Sequence, residues 1–268
     1  MHPTLKLCTV VAIACLSVPF SVHTPAQAIR IASTQSNANI LIEQGKEKAK
    51  RKDYQGAITA FNQALRSNPN LAQAYIHRGL AHHDLEDYQR AIADYTAALK
   101  IDPNNGEALF NRGEARTDIN DFQGALADVT RAIQVNPSYA EAYNHRAILH
   151  AEIDGNLKLA LADLNQAIAV KPNFADAYYN RGKTLTATGN AKGAIADYSK
   201  AIALNPDLAE AYGNRGILRA QMGDIPAGLT DLQQAAQIFS KLGNLEAYQQ
   251  TEIFIQQVKT LPQVTPSP

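Results

Sequence analysis

The sequence has no tryptophan, only two methionines and two cysteines, and no charge excess of either sign, with 25 Lys plus Arg against 25 Asp plus Glu. Each scarcity excludes something. Balanced charge gives no electrostatic grip on nucleic acid, whose binders carry a basic excess. Both cysteines, Cys8 and Cys15, fall within the first 28 residues. The remainder has no thiol to serve as nucleophile or ligand, and an oxidising compartment would find nothing to mispair. No Walker loop, dinucleotide fingerprint or serine elbow occurs. His77 and His82, like His145 and His150, stand five residues apart and fall on different helix faces, so the histidines, His83 included, show no zinc-binding spacing. The expectation is a protein without catalytic residues, metal or cofactor. A hydrophobic content of 46% with scattered prolines also excludes an acidic disordered chain and a proline-rich linker.

The longest apolar run is short. It extends from Leu7 to Phe20, follows Lys6, is interrupted by Ser17 and Pro19, and leads to Ala26-Gln27-Ala28. A bilayer span needs roughly 20 apolar residues. Residues 1–28 therefore read as a secretory signal peptide cleaved after Ala28, leaving no membrane span. Export to a bacterial periplasm is the expected destination, with a thylakoid lumen as the alternative. Ala12-Ile13-Ala14-Cys15 also resembles a lipoprotein cleavage box, which would instead anchor the chain through Cys15. Residues 29–37 are mostly polar and read as a flexible linker.

Most of what remains obeys a period of 34. Pro69, Pro103, Pro137, Pro172 and Pro206 are spaced by 34, 34, 35 and 34 residues. Ala57, Ala91, Ala125, Ala160 and Ala194 precede them by twelve, and Ala64, Ala98, Ala132, Ala167 and Ala201 by five. The pattern resembles the tetratricopeptide repeat, a helix-turn-helix unit that stacks into a solenoid. The resemblance implies an all-α, right-handed superhelix of six repeats at 38–71, 72–105, 106–139, 140–174, 175–208 and 209–242. A capping helix at 243–260 and a disordered tail at 261–268 would follow. Glycines at position 8 of the repeat and alanines at 20 and 27 leave room for the large residues at positions 4 and 24. Asp53, Asp87, Asp121, Asn156, Asn190 and Asp224 stand where each second helix begins and suit an N-cap. In the cap, Leu245, Tyr248, Phe254 and Val258 are expected to cover the last repeat, with the glutamines facing outward.

Position 7, usually aliphatic in that family, is Arg78, Arg112, Arg146, Arg181 and Arg215. Asp94, Asp128, Asp163, Asp197 and Asp231 occupy position 23 of the same repeats. In an antiparallel hairpin positions 7 and 23 oppose one another, so five structural ion pairs are expected, each neutralising a half-buried guanidinium. An anion-binding arginine stripe would not need matched aspartates.

The resemblance also implies that the first helix of every repeat lines the concave face. Position 6 there reads Glu43, His77, Asn111, His145, Asn180 and Asn214, and an amide offers a donor and an acceptor to the backbone of an extended peptide. Ile76, Phe110 and Tyr179 at position 5, with Leu80, Ile148 and Ile217 at position 9, are expected as apolar groove residues for partner side chains. The function these features imply is an exported protein-interaction scaffold, adaptor or assembly factor holding a protein or peptide. A substrate-binding arm of an envelope glycan-handling or enzymatic complex is the alternative, and a lipid-anchored envelope scaffold another.

Overall fold

The computed structural model describes residues 25–153 and 155–260, with side chains placed from residue 37 onward. The described residues form thirteen α-helices. α1 (Pro25–Lys50) and α2 (Tyr54–Ser67) make the first hairpin. It is followed by α3 (Ala72–Asp84) with α4 (Tyr88–Ile101), α5 (Gly106–Asp118) with α6 (Phe122–Val135), and α7 (Ala140–Ile153) with α8 (Leu157–Val170). Next come α9 (Ala175–Ala187) with α10 (Ala191–Leu204), α11 (Ala209–Gln221) with α12 (Ile225–Lys241), and a closing α13 (Leu245–Lys259). The result is a superhelical solenoid in which each hairpin packs on the next. Odd-numbered helices also touch one another directly at α1–α3, α3–α5, α7–α9 and α11–α13, which places the first helices on the tighter, inner side of the stack.

The repeat's sequence constants each have a physical task. The six expected N-cap residues all accept a backbone N–H three residues on, as from Gly56 to Asp53 and from Gly193 to Asn190. Position 8 has no room for a side chain. A Cβ on Gly79 would lie 2.7 Å from the Tyr95 ring, and one on Gly182 would lie 2.6 Å from Tyr198. Both tyrosines are fully buried, as is Phe61 beneath Gly45. Repeat four carries Ala147 at this position, opposite the smaller Leu164.

Two expectations are corrected. Residues 29–37, read as a linker, belong to α1. They contain neither glycine nor proline, and extending an existing helix costs far less than starting one. Leu245 does not cover the last repeat, being 68% exposed; Thr251, Ile255 and Val258 supply the buried stripe of α13, with Tyr248 and Phe254 half-buried beside it. The 3–4-residue spacing of that stripe rotates Leu245 away from the core. The expected signal peptide, as far as residue 24, and the expected tail at 261–268 lie outside the described residues.

The turn between the two helices closes in the left-handed region. Lys52 (φ 62°), Glu86 (φ 59°) and Asn120 (φ 61°) hold the position that Gly189 and Gly223 hold in later repeats. The following N–H reaches back to the first helix, as from Asp53 to Lys48 O at 2.9 Å and from Asp87 to His82 O at 2.9 Å. A side chain with Cβ is strained there, while asparagine tolerates it. Lys52→Gly and Glu86→Gly should each raise stability by about 0.5–1 kcal/mol in urea unfolding, with Asn120→Gly giving a smaller gain.

Candidate functional site

Between the helices of each hairpin from the second to the sixth, an arginine grips an aspartate with two parallel hydrogen bonds. Nε–Oδ2 distances are 2.7–2.9 Å and Nη2–Oδ1 distances 2.5–2.7 Å for Arg78–Asp94, Arg112–Asp128, Arg146–Asp163, Arg181–Asp197 and Arg215–Asp231. The aspartates are buried and the arginines part-buried. Bonding to the carboxylate holds the guanidinium pKa of Arg78, Arg146 and Arg181 above its ordinary value.

The arginine also does something its spacing alone did not disclose. Its remaining nitrogen donates to the preceding repeat's second helix, from Arg78 to Asn62, Arg112 to Thr96 (3.1 Å), Arg181 to Asn165 (2.7 Å) and Arg215 to Ser199 (2.9 Å). The guanidinium carbons of Arg78, Arg146, Arg181 and Arg215 lie 5.4–5.7 Å from the ring centres of Tyr75, Tyr143, Tyr178 and Tyr212, one helical turn earlier. The signal was present as a polar residue at position 25 and a tyrosine at position 4. A second cation joins Asp128 and Asp231 from Arg116 (2.7 Å) and Arg219 (2.8 Å), while His82 and His150 stand 3.9 Å from Asp94 and Asp163.

The inner face is a separate surface. Two residues expected to line it do not: Ile76 is fully buried and Phe110 only 8% exposed. Consecutive first helices pack side by side, and position 5 falls into their seam, where Phe110 meets Tyr139 at 4.9 Å and His145 at 5.9 Å. Tyr179, at the same position, stays half-buried and accepts a long bond from Asn214 (3.4 Å). Its pKa is pushed up to about 12, chiefly by burial and then by Glu210.

The position-6 row lies along the first helices as a series of polar groups with different partners. His77 stacks on Phe61 at 5.9 Å. His145 Nε2 meets Thr117 Oγ1 at 3.0 Å. Asn180 donates to Asn144 Oδ1 at 3.0 Å. Asn111 is 8% exposed, and no described residue hydrogen-bonds its amide. Three depressions follow this row. Leu80, Glu107, Asn111 and Tyr139 line one of 640 Å³. Ile148, Asn180 and Lys183 line one of 160 Å³, and Ile217, Tyr198 and Asn214 one of 350 Å³. Such a surface offers backbone pairing and shallow side-chain sockets. Among the described residues no group of three or more His, Cys, Asp or Glu is placed to hold a metal ion, and no helix is long and apolar enough to cross a membrane.

A solenoid of helical hairpins with an inner polar row defines the class of protein, and sequence profiles of the tetratricopeptide repeat match residues 42–106, 153–189 and 182–223. The chain belongs to the tetratricopeptide repeat proteins. A sequence search of curated proteins gave no match. Among solved structures the chain is similar to MamA, with 26% identity and a TM-score of 0.55 over 62% of this chain and 96% of that one. It is similar in fold to pilF of Pseudomonas aeruginosa, at 16% identity and TM-score 0.69, covering 82% of this chain and 99% of the other. YrrB, described as a TPR protein with an unusual peptide-binding site, shares 22% identity with a TM-score of 0.54 over 67% and 92% of the two chains.

Burial lowers the pKa of His77, His82 and His145 below the ordinary 6.5, with nearby carboxylates opposing it only in part. The unfolded chain therefore takes up protons first as pH falls, and the stability contributed by the neutral rings is lost from about pH 6.5 downward. The urea midpoint should be lower at about pH 5 than at about pH 7.5. His77→Gln with His145→Gln should flatten that dependence.

Proposed function

We propose that this protein is a non-catalytic scaffold or adaptor, exported to the bacterial periplasm, that holds an extended segment of a partner protein along its inner face. The observation that carries this reading is Asn111. The residue is mostly buried, yet its amide opens onto the 640 Å³ cleft with no hydrogen-bond partner among the described residues, which leaves a donor and an acceptor free for a ligand. An extended backbone laid across α5 would supply the missing donor and acceptor. The long Asn214–Tyr179 contact and the Asn180–Asn144 pair are open to exchange for the same partner groups further along. Adjacent first helices are about 10 Å apart and an extended chain rises about 3.3 Å per residue, so each repeat reads about three residues. YrrB's peptide-binding site supports the same use of this architecture. The shallow, open sockets and the lack of any cluster of chemically reactive groups in them favour holding over catalysis.

The test is affinity capture from the native compartment with three baits: wild type, Asn111→Ala with Asn180→Ala and Asn214→Ala, and the outward-facing control Lys200→Ala. Partners should be kept by wild type and the control and lost by the triple variant. Equal retention by all three would remove the inner face from the interaction.

A further inference from the structure

The chain is neutral overall, but its inner face is not. Across the first helices of repeats two to six, position 2 carries four carboxylates, position 9 one and position 13 three, against a single lysine, Lys183. Two of these carboxylates are already engaged: Glu141 accepts from Lys171 at 2.6 Å, and Asp118 meets His83 at 2.9 Å. Glu107 and Glu114 have no ion pair or hydrogen bond among the described residues. They sit on α5 one turn to either side of Asn111, at i−4 and i+3, so all three residues share one stripe of the helix. Glu107 and Asn111 line the 640 Å³ cleft between repeats two and three together with Leu80, Asn105, Val135 and Tyr139, and no basic side chain enters that lining.

Resting on the reading above that the inner face holds an extended segment, we infer that the α5 part of the groove selects a cationic one, a stretch of a partner protein with adjacent Lys or Arg residues. The geometry demands adjacency. Glu107 and Glu114 are seven residues apart on one helix, a rise of roughly 10 Å. A strand crossing between them and pairing its backbone with Asn111 sends successive side chains to opposite sides, so neighbouring residues each reach one carboxylate. Burial holds the Glu114 carboxyl pKa above its ordinary value, Asp118 adding to this and His83 opposing it, so this carboxylate is poorly solvated and gains from an incoming cation. Residues 261–268 contain no basic side chain and residues 1–24 only Lys6, so neither segment supplies the adjacent pair.

The experiment uses the whole protein and three dye-labelled extended peptides of about ten residues, identical except for a central Lys-Lys, Gln-Gln or Glu-Glu pair, read by fluorescence anisotropy. Wild type should bind the Lys-Lys peptide at least about ten-fold more tightly than the Gln-Gln peptide and the Glu-Glu peptide least, with the difference shrinking at high salt. Glu107→Gln with Glu114→Gln should erase the preference while leaving Gln-Gln binding in place. Both substitutions keep shape and hydrogen-bonding capacity, and a matching thermal melt verifies folding. If Lys-Lys and Gln-Gln peptides bind alike and Asn111→Ala weakens both, the cationic inference is wrong and the groove reading survives. If Asn111→Ala changes nothing, or the Lys-Lys peptide fails to bind, both fall.

Discussion

A solenoid has no central core: each repeat is held only by its neighbours, and stability is a sum of local folds and interfaces. In this protein the arginine fork at position 7 adds directed bonds across that interface, from Arg78, Arg112, Arg181 and Arg215. A guanidinium presents five donors in a fixed plane. Here two of them close the hairpin on an aspartate, a third crosses to the previous hairpin, and the plane lies near a tyrosine of its own helix, as in Arg181 with Asp197, Asn165 and Tyr178. An aliphatic residue at that place could fill space but could not link three helices by directed bonds. The arrangement obliges each partner. A buried aspartate without its cation is strongly destabilising, so the arginine and aspartate occur together or, as in repeat one with Gln44 and Ala60, both are missing.

A neutral sequence here carries a polarised inner surface. Ten of the fifty charged residues cancel inside hairpins, five of each sign, so the imbalance on the inner face comes from where the remaining charges are placed. Arg116 and Arg219 are drawn onto the same aspartates. What remains on the inner face is a surplus of carboxylate, with Glu107 and Glu114 on either side of an amide that has no partner within the described chain. Structure and recognition are thus set by one distribution of charge: arginine for holding repeats together, glutamate for what lies in the groove.

The period of 34 made the hairpins legible, because close packing allows only glycine or alanine at fixed places and a side-chain acceptor at each second-helix start. The Arg–Asp partnership was legible for a related reason, since positions 7 and 23 must face each other in an antiparallel pair. Three features were not. The bond from arginine to the preceding repeat depends on the tilt between hairpins, which no single repeat encodes. The burial of Ile76 and Phe110 depends on how closely consecutive first helices approach, and a position counted around one helix cannot distinguish a groove from a seam. The helical state of residues 29–37 was obscured by polar composition, although the lack of glycine and proline left nothing to stop α1.

Native-state hydrogen exchange on Arg181→Lys separates coupling of neighbouring repeats by the arginine from mere closure of its own hairpin. Lysine keeps the charge and loses the fork. If the arginine couples repeats, protection falls in α8, which carries Asn165, together with α9 and α10. Loss confined to α9 and α10, with α8 protected as in the parent protein, would contradict it.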